Sequence, residues 1–321
     1  AGLINDTIPP QFIKMTPASN NYIYGNQPFS VVGNDNVGVA KTALYYSTDP
    51  EAPLESWTLI DEHNGSSYSQ NIDTTVMPNG VVYVVAKIYD AVGNFTYSPK
   101  QRYMCDNQGP EQVKNVKCIA VDGTTATLSW SDVSDDDISY FVVECKQSDG
   151  VWKSVSRTST NLGVNLSGLT PEHDYVYRVI GYDKRSNRGT PSEEITVTTL
   201  KDTICPKVTK ITPDPGYFKS EINLRFTAED DYRVKSIEIQ TSTDKESWKT
   251  VSEIKATGES AKCTFDCKLD LKNYEEGSVF VRAKVYDSYG NVTEDKDLTC
   301  YEYVVDRTAP IQPTGVTASS G

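Results

Sequence analysis

The chain has 321 residues, 44 acidic against 31 basic side chains, a net charge of −13 and an isoelectric point near 4.7. That balance excludes recognition of a phosphate backbone, which needs a basic stripe, and disfavours adhesion to an anionic membrane surface. No apolar run approaches the roughly 20 residues needed to cross a bilayer, and no secretory leader follows Ala1, as is expected of a segment of a longer protein.

Taken in chain order, the sequence repeats itself. Asp6-Thr7-Ile8-Pro9-Pro10 opens a first module and returns as Asp202-Thr203-Ile204-Cys205-Pro206. Tyr89-Asp90-Ala91-Val92-Gly93-Asn94-Phe95-Thr96 returns as Tyr286-Asp287-Ser288-Tyr289-Gly290-Asn291-Val292-Thr293. Ser47-Thr48-Asp49 with Trp57 returns as Ser242-Thr243-Asp244 with Trp248. A different module opens between them at Gly109-Pro110, and a similar opening recurs at Ala309-Pro310. The order is A-B-A with the start of a fourth module, and such internal repetition has to be settled before the fold is assigned.

Helical periodicity is nearly absent. Short alternating runs recur about every ten residues between Asn, Asp, Gly, Ser and Pro, the pattern of a β-sandwich. Val81–Tyr89 predicts a strand with Val82, Val84, Ala86 and Ile88 on one face and Tyr83, Val85 and Lys87 on the other, and Ser278–Tyr286 is its counterpart. Tyrosine outnumbers phenylalanine 20 to 8, which suits half-exposed strands where a ring needs a wet end.

In the middle module, Val116–Val121 predicts a first strand and Ala126-Thr127-Leu128-Ser129-Trp130 a second that carries a core tryptophan. Ser139–Val143 predicts a third, and Gly181–Ser192 a closing hairpin. With Leu169-Thr170-Pro171 ahead of Tyr175, whose hydroxyl would bond back across the corner, Val113–Leu200 resembles a fibronectin type III domain. Its hairpin has no Arg-Gly-Asp, so the integrin-binding form is not implied. Ala309–Ala318 resembles the first strand of another such domain. The flanking modules resemble bacterial Ig-like domains in three features: the Asp-Thr-x-x-Pro opening, the Asn34–Val39 segment, and the Tyr-Asp-x-x-Gly-Asn turn. In the third module Glu229–Val234 stands where the first has Asn34–Val39. The expected fold is therefore all-β, three tandem immunoglobulin-like sandwiches over 1–107 (Ig-like), 108–200 (fibronectin type III) and 201–308 (Ig-like), with 309–321 beginning a truncated fourth.

Seven cysteines is an odd number, so at least one thiol is unpaired within the chain. Cys263 and Cys267 share one face of a strand about 13 Å apart, beyond the roughly 7 Å that a disulfide spans. Paired zinc-ligand spacing is missing, and small buried thiols in a reducing or anoxic setting are expected. Neither His63, in Asp61–Gly65, nor His173, in Pro171–Asp174, has a nucleophile beside it, and both read as exposed loop residues. No phosphate-cradling glycine loop is present, so no catalytic residues and no enzymatic activity are expected.

Calcium is the sharper expectation. Asp6, Asp90 and Asp106 form one carboxylate set, and Asp202, Asp287 and Asp306 the matching one. A hard cation wants six to eight oxygens, which several carboxylates at a module junction begin to supply. In large bacterial adhesins with similar Ig-like repeats, the resemblance implies linker Ca2+ that stiffens a rod. An Asp that opens a turn also bonds its own backbone, and Gly93 or Gly290 supplies the turn's positive φ, so turn chemistry accounts for the motif without a cation. The residues leave both readings open. The run Asp132–Asp137 offers four carboxylates in six residues to a cation but reads as a solvated loop. Trp57, Trp152 and Trp248 offer rings for sugars but read as packing. Five Asn-x-Ser/Thr sequons occur, at Asn5, Asn64, Asn94, Asn165 and Asn291.

The functional expectation is a non-catalytic, extracellular stalk or adhesin segment on a bacterial cell surface, monomeric and linked to further domains of its own longer chain. Accessory spacer modules of a secreted polysaccharide-degrading enzyme, or direct binding of a host protein or glycan, are the alternatives. Nucleic acid and membrane insertion are not expected.

Overall fold

The structure is a computed structural model that describes residues 6–311. Its regular elements are strands and three single-turn 3-10 helices, arranged in three successive sandwiches. Each has its own apolar core: one drawn from Met15 to Cys105, one from Val113 to Val197, and one from Ile211 to Val305.

The first sandwich faces a sheet of Gln11–Thr16, Asn26–Asn34 and Tyr68–Asp73 against a larger one. The larger sheet orders Tyr22–Ile23, Gln101–Cys105, Gly80–Asp90, Val39–Ser47 and Thr58–Asn64, with Phe95–Tyr97 added on Gly80–Asp90. Period-two alternation explains the burial. Val82, Val84, Ala86 and Ile88 all lie in the core, as the sequence predicts. Val85, expected on the wetter face, is buried as well. Its strand is central in the sheet, so small side chains there are hidden between taller neighbours.

The third sandwich repeats this plan. Tyr22–Ile23 runs parallel to Met104–Cys105, and Tyr217–Phe218 runs parallel to Val304–Val305; the other strand pairs in both sandwiches are antiparallel. Tyr103 donates its hydroxyl to the Pro17 carbonyl at 2.6 Å, and Tyr303 donates to Pro213 at 2.9 Å. One difference is large. Glu221–Ser242 and Lys249–Asp270, 22 residues each, pair across both layers. The register breaks between Glu229 and Val234, where the strand passes from one layer to the other. That break sets Asp230 and Asp231 at the end of the sandwich.

The middle sandwich places Lys117–Val121, Ala126–Ser129 and Gly163–Leu166 over a sheet of Trp152–Thr158, Ile138–Lys146, Asp174–Asp183 and Ile195–Thr198. Trp130 is buried edge-on against Phe141. The Tyr175 hydroxyl accepts the Thr170 N–H at 2.8 Å, the bond expected of the corner. Gly109 lies so close to the closing hairpin that an added Cβ would meet the Arg188 carbonyl carbon at 2.3 Å, so a side chain there would push the lead-in segment off the hairpin.

All seven cysteines are free: Cys105, Cys145 and Cys267 are buried, Cys118, Cys205 and Cys263 are only half-buried, and Cys300 is exposed, so the expectation of buried thiols holds for three of them. His63 lies at the exposed end of the strand Thr58–Asn64 and not in a loop, because pairing with Val39–Ser47 extends through Asn64. The fourth-module strand proposed over Ala309–Ala318 falls largely outside the described residues.

Separate cores give separate responses. Phe226→Ala empties a fully buried site in the third core and should cost about 3–5 kcal/mol. Hydrogen exchange should show amides of 207–305 losing protection while those of 117–198 keep theirs; equal losses in both would show that the cores unfold as one.

Candidate functional site

Three carboxylate clusters recur where each sandwich begins: Asp6, Asp35 and Asp90; Asp106, Asp137 and Asp183; and Asp202, Asp230 and Asp231. In each, one oxygen from every member lies within 4.8 Å of the others. The first two clusters draw on the same three places: the lead-in segment, the crossing after the second strand, and the turn after the long strand of the larger sheet; the third takes Asp202 from the lead-in and both Asp230 and Asp231 from the crossing. The third module's turn aspartate, Asp287, is tied to this cluster through Asn291, whose Nδ2 donates both to the Asp202 carbonyl at 3.2 Å and to Asp287 Oδ2 at 2.6 Å.

The turn aspartates are locked first. Asp90 Oδ1 accepts N–H groups of Val92, Gly93 and Asn94, and Asp287 Oδ1 accepts those of Tyr289 and Asn291. The middle module has the same turn in Asp183-Lys184-Arg185-Ser186-Asn187: Asp183 Oδ1 accepts Arg185 and Asn187 N–H. Ser186 takes the positive φ, 66°, that Gly93 and Gly290 take at 100° and 90°. The closing asparagine then reaches the lead-in segment. Asn94 Nδ2 donates to the Asp6 carbonyl at 3.1 Å, and Asn187 Nδ2 to the Asp106 carbonyl at 3.0 Å.

The crossing aspartates are aimed by their own backbones. Asp35 Oδ2 accepts the Val37 and Gly38 N–H, and Asp230 Oδ2 accepts those of Tyr232 and Arg233. Their other oxygens are left over. Asp6 Oδ2, Asp35 Oδ1, Asp202 Oδ2 and Asp230 Oδ1 are buried with no hydrogen-bond partner. Asp202 is only 1% exposed, so its unpartnered Oδ2 is cut off from bulk water. Burial pushes Asp230 up to about 6, with Asp202, Asp231 and Asp287 adding repulsion, and burial likewise raises Asp202. Burial acts upward on Asp90 too, but the Asn94 amide and the turn N–H groups hold it below the ordinary carboxylate range. A buried carboxylate oxygen without a donor is costly, and hard cations are the ligands that such oxygens suit.

In the middle cluster a cationic side chain lies among the carboxylates. Arg185 Nη1 lies 2.5 Å from Asp137 Oδ2 and Nε lies 3.2 Å from Asp106 Oδ2. Burial raises Asp106, as does Asp183, while Arg185 draws it down; burial followed by Asp135 lifts Asp137 to about 6.

The expected sets are therefore regrouped. Asp6 meets Asp90, but Asp106 joins the following sandwich's cluster, because a sandwich's first and last residues lie at opposite ends. Asp202 meets Asp287, while Asp306 is exposed and accepts only its own Thr308 N–H. Asp137 of the acidic run turns inward and is not simply solvated. The sequence reading passed over Asp35, Asp183, Asp230 and Asp231, and took the run that holds Asp137 as solvated. The Tyr-Asp-x-x-x-Asn spacing, present in all three modules, would have found Asp183.

The middle and third sandwiches touch at the third cluster. Thr124 Oγ1 donates to Asp231 Oδ2 at 2.9 Å, and Tyr289 donates its hydroxyl to the Pro171 carbonyl at 3.2 Å. Elsewhere the ring-bearing residues are occupied. Trp57 is buried with Nε1 on the Ala52 carbonyl, Arg282 covers Trp248 at 4.0 Å, and Arg178 covers Trp152 at 4.0 Å.

Residues 111–198 match the fibronectin type III domain family. The fibronectin type III module thus covers the middle sandwich, and its resemblance in sequence is met. Among solved structures, the fibronectin type-III domain of human fibronectin type III domain containing protein 3 is 25% identical, over 30% of this chain and 93% of that one, with a TM-score of 0.28. The Clostridium thermocellum CbhA fibronectin(III)-like modules are 16% identical over 60% and 94%, with a TM-score of 0.32. The chicken CNTN1 FN1-FN3 domains are 13% identical over 93% and 99%, with a TM-score of 0.28. No curated protein matches the chain.

The asparagine clamp has a direct test. Asn291→Ala leaves the Asp202 carbonyl and Asp287 Oδ2 without their shared donor and should cost on the order of 1–3 kcal/mol by chemical denaturation. An unchanged midpoint would mean that water serves both acceptors equally well.

Proposed function

We propose that this segment is a non-catalytic spacer of a large bacterial surface protein, with Ca2+ as a structural ion at its module junctions. The observation that carries this reading is the set of buried, unpartnered carboxylate oxygens at the starts of the first and third sandwiches. Asp6, Asp35 and Asp90 would hold one ion, and Asp202, Asp230, Asp231 and Asp287 another. Repulsion within each cluster is the force that a cation relieves. At the second site the ion would also secure the neighbour, since Asp231 already contacts Thr124 of the fibronectin type III module. Gly123 fits the same contact: an added Cβ would lie 3.1 Å from Asp202 Cα, so the two modules meet at backbone distance.

Several observations favour a spacer. Each sandwich closes its own core, the links between cores are short, and polar bonds limit swing between neighbours. Both histidines are exposed and lack a serine or cysteine nucleophile among their hydrogen-bond partners in the described residues. On this reading the chain is an extracellular monomer, and its partners are the neighbouring domains of its own longer chain. The resemblance of the flanking sandwiches to bacterial Ig-like domains supports the same context.

Calcium at about 100 times its dissociation constant should add about 2.7 kcal/mol to the sandwich that binds it, a shift on the order of 10 °C in melting temperature. Asp230→Asn should abolish the shift in the third sandwich, and in chelator should raise its melting temperature by relieving repulsion. Identical melting curves with calcium and with chelator would remove the cation from this reading.

A further inference from the structure

We infer that Arg185 is a built-in counterion, holding with its guanidinium the place that a divalent cation takes in the other two clusters. The junction between the first and middle sandwiches is then independent of cations, while the Asp6 and Asp202 clusters respond to them. The inference rests on the cation reading above for the flanking sandwiches, but its own core, an arginine that closes a site, can be tested separately.

The geometry is a comparison internal to one chain. Arg185 is the second residue after the turn aspartate Asp183, the position held by Val92 after Asp90 and by Tyr289 after Asp287. All three residues give their backbone N–H to that aspartate's Oδ1, so the three side chains leave equivalent turns. Only arginine returns to the carboxylates. Its side chain is 14% exposed and forms ion pairs with Asp106 and Asp137. Among the described residues, no aspartate of the other two clusters forms an ion pair. The unpartnered oxygens follow the same division. Four carboxylate oxygens lack a partner, and all belong to the clusters without an arginine. A guanidinium is planar, always charged and weakly hydrated, so it can be desolvated between carboxylates where a lysine would resist.

The arginine also does what a bare ion cannot. Its guanidinium lies 3.7 Å over the ring of Tyr22, a residue of the preceding sandwich. One side chain thus neutralises the cluster and grips the neighbour. At the next junction those roles are divided: Tyr289, at the equivalent position, bonds to Pro171 of the preceding sandwich and leaves the carboxylates unneutralised.

The test is the number of calcium ions bound by the whole chain, from titration calorimetry with calcium chloride. Two are expected for the native protein, three for Arg185→Met, and one for Val92→Arg, which places a guanidinium at the equivalent turn of the first sandwich. Three ions in the native chain, or no gain in a folded Arg185→Met, would overturn the inference while leaving the flanking sites in place. No binding by the native chain together with one ion in Arg185→Met would remove the flanking sites and still support the arginine's role. No binding in either would overturn it. Should Arg185→Met fail to fold, Val92→Arg decides, because Val92 is exposed: a fall from two ions to one supports the inference and an unchanged two overturns it.

Discussion

An asparagine amide that holds a backbone carbonyl fixes where each sandwich begins. Asn94, Asn187 and Asn291 each close a turn opened by an aspartate, and each donates to the carbonyl of the residue where the chain enters. A lead-in segment without a strand partner would be free to swing, since its backbone groups have no ladder to join. Held at that carbonyl, the aspartate side chain is carried to within reach of two other carboxylates. The clusters are consequences of the clamp, and the contacts between sandwiches are built around them.

Crowding carboxylates in a half-buried place is unfavourable unless something positive joins them. Two solutions to that one constraint stand side by side in this chain. The middle sandwich commits a side chain to the task and gains a permanent joint. The outer two leave oxygens open, and on the calcium proposal their joints would answer to the medium. An array built this way would have segments of different compliance set by single residues in otherwise similar turns.

Much of the fold was legible. Alternation placed Val82, Val84, Ala86 and Ile88 in the core, and Trp130 and Tyr175 marked the middle sandwich, because a strand's period of two and a corner's hydroxyl bond are local properties. The clusters were half legible. Asp6, Asp90, Asp202 and Asp287 could be found because they repeat at constant spacing. Asp35, Asp137 and Asp230 could not, since they sit on crossings whose length differs between modules and their approach to the others is a matter of three-dimensional closure. The middle turn was hidden by a single substitution. Ser186 adopts the backbone that Gly93 and Gly290 adopt, so a pattern requiring glycine passes over it.

The clamp also bears on how this chain can be made. Asn94-Phe95-Thr96 and Asn291-Val292-Thr293 are acceptor sequences for N-linked sugars, and the nitrogen that would carry the sugar is the nitrogen that holds the joint. Asn291 Nδ2 spends both hydrogens, one on the Asp202 carbonyl and one on Asp287, so a glycan there would take a hydrogen already in use. Passage through a eukaryotic secretory pathway would set assembly of the junction in competition with its modification. A cell that does not attach such sugars places no such conflict on the sequence.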